Sequence, residues 1–203
     1  MKSLYVTDRA AIGDARLAAI LDRLAGAPGL AVTLRDGTAG DALTLERARD
    51  ARRRLAEAVP LYVHRRFDIA LAAGADGVHL PSHGLPPQKV RAHTPRGFRI
   101  GVSTHSPDEA DRALAEGADF VVLGPIFDTP SKRVFGPPLG PEALAALPAR
   151  GGHSGEVFAI GGVDEARLAE LAAYGDRIAG VAAIRLFQES ADPRAVAERI
   201  AAL

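Results

Sequence analysis

Short runs of apolar, often β-branched residues alternate along the chain with longer Ala/Leu/Arg/Glu segments of helical period. That alternation is the pattern of repeated strand-helix units around a parallel sheet, whose strands read as continuous apolar runs because both faces are buried. Strands are expected at 4–7, 30–34, 61–63, 77–80, 100–103, 120–124, 157–160 and 180–184, and helices at 14–25, 43–58, 107–116, 164–173 and 193–203. Eight units of about 25 residues are close to the minimum for a strand, a helix and two tight loops. No Gly-x-Gly-x-x-Gly follows the first strand, which turns the reading away from a dinucleotide-binding sheet. The expected fold is therefore α/β, a single-domain (β/α)8 TIM barrel over residues 1–203.

An internal echo agrees with repeated units. Leu71-Ala72-Ala73-Gly74-Ala75-Asp76-Gly77-Val78 returns as Leu114-Ala115-Glu116-Gly117-Ala118-Asp119-Phe120-Val121, and more loosely between Leu171 and Val181. Each copy reads as a helix end, a glycine able to take the left-handed conformation, an acid and a strand.

Composition narrows the classes of partner. Acids and bases balance at 25 each, so no basic footprint points to nucleic acid or to an anionic membrane, and any anion site must be local. The chain has no cysteine, which excludes disulfides, thiolate catalysis and cysteine-type zinc sites. No run approaches the ~18 apolar residues of a membrane span, and the N-terminus meets Asp8 early, so a cytoplasmic protein is expected.

Chemistry collects where strands end. Arg35 and Asp36 follow the second strand, His64 and Arg65 the third; His79 lies within the fourth, and Ser103 and His105 close the fifth. Thr129, Ser131 and Lys132 follow the sixth, Gly161-Gly162 the seventh and Arg185 the eighth. In barrel enzymes the catalytic groups come from several C-terminal strand ends. Two hydroxyls and an ammonium group beyond strand six suit a phosphorylated ligand. Gly161-Gly162, between a strand and a helix, would let phosphate oxygens approach backbone N–H groups at the start of that helix. The phosphate site is expected near these glycines and the start of strand eight, within reach of Arg185.

The histidines divide. His79, between Val78 and Leu80, is expected inside the barrel and hydrogen-bonded in the core. Pro81 prevents the helix that a zinc pair of His79 and His83 would need. His64 and His105 are candidates for acid/base work, placed on neighbouring strand ends near one ligand. His93 and His153 are expected at the surface. The run Arg47, Arg49, Arg52, Arg53 and Arg54, interleaved with Glu46, Asp50 and Glu57, reads as a salt-bridged helix face.

Taken together, Tyr5-Val6-Thr7-Asp8, Leu34-Arg35, Phe67-Asp68-Ile69-Ala70, Gly74 to Leu80, Ile100-Gly101-Val102-Ser103, Gly124-Pro125-Ile126-Phe127 with Thr129 and Lys132, and Ala159-Ile160-Gly161-Gly162 resemble the thiamine phosphate synthase/TenI family over nearly the whole chain. The resemblance implies a barrel that binds a small phosphorylated thiazole at its C-terminal rim. On the family pattern Gly161 and Gly162 hold the phosphate and Arg35, Ser103, Thr129 and Lys132 fall at substrate-contacting positions; Arg185 stands where a serine is usual, either strengthening the phosphate site or blocking it, and Arg65 is a further candidate substrate contact. The resemblance leaves a homodimer open.

Departures from the family pattern direct the activity. Synthases end the third strand in an Asn-Asp pair and carry a second Asp after the His-Leu of strand four, and these aspartates hold magnesium. This chain has His64-Arg65 and Gly84 there, and Gly37 where a basic residue is usual. Neither an arginine nor a glycine side chain offers the hard oxygen that Mg²⁺ requires. The tautomerase branch also lacks the aspartates and is similar to this chain in Leu80-Pro81-Ser82 and in Ser106 after His105, although its histidine falls at Pro125. The leading expectation is therefore a metal-independent thiazole tautomerase using His64 or His105, with no metal ligands and no cofactor. Magnesium enters only under the alternative, a thiamine phosphate synthase coupling a pyrimidine diphosphate to a thiazole phosphate. A non-catalytic ligand-binding or regulatory protein is the second alternative.

Overall fold

The structure, a computed structural model, describes all residues except 38, 130–132, 134, 135, 150, 151, 153 and 154. Ser131, Lys132 and His153 thus lie outside the described residues. Eight parallel strands close into a barrel in chain order: β1 (Lys2–Val6), β2 (Leu30–Leu34), β3 (Leu61–His64), β4 (Gly77–Leu80), β5 (Arg99–Thr104), β6 (Phe120–Leu123), β7 (Glu156–Ile160) and β8 (Gly180–Ala183), with β8 returning to pair β1. All eight expected strands are present, with ends within two residues of those expected and β2 and β4 unshifted.

The expected long helices appear as α1 (Arg9–Leu24), α2 (Asp41–Leu55), α5 (Pro107–Ala115), α7 (Glu165–Ala172) and α9 (Pro193–Ala201). Gly13, at φ 77°, breaks the helical geometry within α1, so the regular helix starts at Asp14 as the pattern predicts. Four further helices were not legible in the periodicity: α3 (Phe67–Ala72), α4 (Pro87–Arg91), α6 (Glu142–Ala145) and α8 (Arg185–Gln188). At four to six residues, each is too short to display an apolar stripe.

Alternate residues of each strand serve two cores. Outward-facing Tyr5, Val32, Val63, Val78, Ile100, Val121, Val157 and Val181 pack beneath the helices. Inward-facing Leu4, Val6, Tyr62, Phe120, Val122, Phe158 and Ala182 fill the barrel itself. Glycines make room inside the barrel, since a Cβ at Gly101 would stand 2.0 Å from the Phe120 ring and one at Gly77 2.1 Å from the Arg99 carbonyl oxygen and 3.0 Å from the Tyr62 ring. Tyr62 and Phe120 stack with centroids 4.8 Å apart, and Phe120 meets Phe158 edge-on at 6.0 Å. The N-terminal half of the barrel is thereby plugged, and polar groups gather at the opposite end.

The echoed Gly-Ala-Asp units have a structural use. Gly74 and Gly117 both take positive φ and end their helices. Each following aspartate then laces neighbouring strands together. The Asp76 carboxylate accepts from Leu61 N–H at 2.8 Å, its own N–H donates to Leu61 C=O, and its C=O accepts from Arg99 N–H. Asp119 repeats this one strand pair later, with Ile100 N–H at 2.6 Å and Glu156 N–H. In the loose third copy Ala179 bridges Val157 and Lys2 by backbone alone.

Candidate functional site

The strand ends converge on a rim whose floor is His79. This side chain is buried, as expected, and both ring nitrogens are engaged: Nδ1 lies 3.2 Å from Thr33 Oγ1 and Nε2 3.0 Å from Ser103 Oγ. Burial, with the nearby His64 and Arg35, pulls its pKa down to about 3, so it is neutral at pH 7. With both nitrogens occupied it orients Ser103, which is half-buried at the end of β5. The His79 ring sits 5.8 Å above Phe120, at the top of the aromatic plug.

His64 stands edge-on to His79, with centroids 5.6 Å apart. Burial pulls its pKa down to about 4, helped by the guanidinium groups of Arg35 and Arg65 and by His83. An imidazole so depressed stays neutral near pH 7, and little of it is available as a proton donor. His105 differs. It is exposed, its Nδ1 lies 2.8 Å from Gly124 C=O and its backbone N–H donates to Glu109 Oε2 at 2.8 Å. A carbonyl can only accept, so Nδ1 carries the proton and Nε2 of the neutral ring is left with a lone pair. The expectation that the two histidines end neighbouring strands is wrong: His64 ends β3 and His105 follows β5, with β4 between them. One ligand atom cannot be assumed to meet both.

On the β2 side, Arg35 pairs with Asp8 at 2.9 Å and donates from Nε to Thr7 C=O at 3.2 Å. Register sets Leu34 beside Val63, so Arg35 lies alongside His64. The Asp36 side chain is buried and held by Arg9 at 3.1 Å and Arg47 at 2.5 Å, so its charge is already paired. Arg65 is exposed, takes φ 72° and donates its backbone N–H to His79 C=O. Its guanidinium has no ion pair among the described residues, and neither does that of the exposed Arg185 in the first turn of α8.

Beyond β7, Gly161 (φ 102°) and Gly162 (φ 65°) both need the freedom of glycine, but their neighbours also require it. A Cβ would lie 2.6 Å from Pro125 at Gly161 and 2.6 Å from the Asp128 carbonyl oxygen at Gly162. Close packing of the loop after β6 thus contributes to the choice of glycine. Asp164 caps α7 by accepting from Arg167 N–H at 3.0 Å. Parallel register places these glycines beside the end of β8, where Ile160 faces Ala182, and not beside its start at Gly180 as the sequence suggested. Arg185 is therefore on the same rim. Thr129 is half-buried beyond β6.

Elsewhere the α2 arginines form the expected salt-bridged face, with Arg52 on Asp76, Arg53 on Asp50, and Arg54 on Asp50 and Asp22. His93 is exposed. Among the described residues no helix is long and apolar enough to cross a membrane, and no three His, Cys, Asp or Glu side chains gather as metal ligands.

Comparison with known proteins extends over the same residues. The family model for thiamine monophosphate synthase matches residues 4–186. A provisionally named thiamine-phosphate synthase of Geobacter sulfurreducens is 42% identical, covering 99% of this chain and 93% of its own. The thiamine-phosphate synthase of Methanoculleus marisnigri is 41% identical over 89% of this chain and 86% of its own. Among solved structures, thiamine phosphate pyrophosphorylase from Pyrococcus furiosus superposes with a TM-score of 0.82 at 26% identity, covering 99% of this chain and 94% of that one. With the closed barrel and a family match that runs from β1 into α8, this chain belongs to the thiamine monophosphate synthase family.

Proposed function

We propose that this protein joins a phosphorylated thiazole to a pyrimidine diphosphate at the C-terminal rim of its barrel. The observation that carries this reading is near full-length similarity to proteins named thiamine-phosphate synthase. It reverses the order of preference drawn from sequence. In the reaction, the thiazole ring nitrogen supplies the electron pair of the new C–N bond. The C–O bond to diphosphate breaks and its pair leaves with the diphosphate, so no proton or oxidant enters.

Under this reading the backbone at Gly161-Gly162 and the Arg185 guanidinium hold the thiazole phosphate. Among the described residues the N–H groups of Gly162 and Val163 have no partner and are free to donate. Ser103, fixed by His79, and Thr129 contact the substrates, and Arg35 and Arg65 face the diphosphate. The plug beneath His79 closes the far end, so both substrates meet on one floor.

A second reading keeps the thiazole and drops the coupling. His105, with Nδ1 committed to Gly124 C=O, has an Nε2 with no partner among the described residues and suited to moving one proton in a tautomerase, whereas His64 is too strongly depressed. One experiment separates the readings. The purified full chain is given both substrates, and separately the thiazole carboxylate phosphate in D₂O, with products followed by mass spectrometry and NMR. Thiamine phosphate is the expected product; deuterium exchange without coupling would favour the tautomerase, and tight binding without either reaction a regulatory binder.

A further inference from the structure

The family resemblance implies a magnesium ion beside the diphosphate, and the residues of this chain do not fit one. Where the carboxylates would stand are Arg65 and Gly84. The second position is also crowded for any side chain. Gly84 N–H donates to Pro81 C=O at 2.9 Å, and a Cβ at Gly84 would lie 3.0 Å from both Pro81 Cδ and that carbonyl oxygen. The nearby acids are already committed: Asp8 to Arg35, Asp36 to Arg9 and Arg47, and Asp41 and Asp68 to Arg66.

In place of carboxylates, adjacent strand ends present Arg35, His64 and Arg65, with exposed His83 beyond β4. Arg35 is held in direction by Asp8 and the Thr7 carbonyl. Arg65 contributes positive charge without an ion pair among the described residues, from a left-handed backbone that a non-glycine residue adopts only at a cost. Guanidinium forks match phosphate oxygens in pairs and keep their charge at any working pH.

We propose that this rim binds diphosphate without metal, through the guanidinium groups of Arg35 and Arg65, and so stabilises its departure where relatives would use a cation. The inference rests on the coupling reading for its reaction but not for its binding. Charge on the leaving oxygens is then met by fixed donors that need no reorganisation as the C–O bond breaks.

The test is calorimetric titration of the full chain with inorganic pyrophosphate, in EDTA and again with excess Mg²⁺. Binding is expected in EDTA, with no gain from Mg²⁺. Arg65→Gly should weaken it by about tenfold or more, the loss of one charge-assisted pair. Glycine relieves the left-handed backbone, so a loss of binding in a variant that melts no lower than wild type cannot be blamed on misfolding. Arg35→Gln should weaken binding similarly. Binding that appears only with Mg²⁺, or that survives Arg65→Gly unchanged, would overturn the proposal. Metal-free binding without any coupling would uphold this site and sink the coupling reading; EDTA-sensitive coupling would do the reverse.

Discussion

The two ends of the barrel treat charge in opposite ways. At the N-terminal end, Lys2 and Arg99 share Glu156, Arg91 meets Asp119, and Arg52 meets Asp76. Two of those carboxylates also accept the N–H groups of Leu61 in β3 and Ile100 in β5. At the C-terminal end Arg65 and Arg185 are unpaired among the described residues, and two histidines sit together at suppressed pKa. The first end pairs the charges it carries, whereas the second pairs its acids and leaves two arginines over among the described residues. In a barrel of this kind that is the division between stability and chemistry.

Acid should distinguish the two ends most strongly. His64 and His79 remain neutral in the fold down to about 4 and about 3, while the unfolded chain protonates near the ordinary 6.5. Between those values the unfolded chain binds more protons, so stability is full above pH ~6.5 and falls as the pH drops, by up to roughly 1.4 kcal/mol per pH unit for each histidine. Glu156, held below the usual carboxylate range by Lys2 and Arg99 against the opposing cost of burial, loses its contribution only below about 4.5. Urea midpoints across pH 4–7 should show this slope, and His79→Asn should reduce it; a flat profile in wild type would break the comparison.

A direct attack on the N-terminal stitching should come next in size. Asp119→Ala removes the acceptor of Ile100 N–H and the partner of Arg91, at an expected cost of about 2–3 kcal/mol in chemical denaturation. Asp119→Asn keeps an acceptor and should cost less. The smallest stability effect belongs to the other rim, where Arg185→Gln should change stability by less than ~0.5 kcal/mol. The same variant should bind inorganic phosphate more weakly than wild type, and tighter binding would mean that Arg185 obstructs the site.

The sequence was most legible where local physics acts alone. β-branched runs marked all eight strands, and the glycines that end helices before β4 and β6 have the positive φ their positions required. His79 was read as a core histidine from its apolar neighbours, though nothing in the pattern named Thr33 as its partner. The aspartates of the echo were recognised as a repeat but not as stitches, because their partners lie on other strands. The supposed proximity of His64 and His105 overlooked the intervening β4, and the position beside strand eight was assigned to the wrong end of that strand. Missing carboxylates drew the reading toward a tautomerase, whereas relatives similar over most of the chain are named as synthases.

The aromatic plug has a consequence for traffic. Tyr62, Phe120 and Phe158 close the barrel beneath His79, which makes the rim a cup with one mouth. Whatever settles against Ser103 can leave only by the way it came. Entry and exit at such a cup share one path, set by three rings at the far end of the barrel.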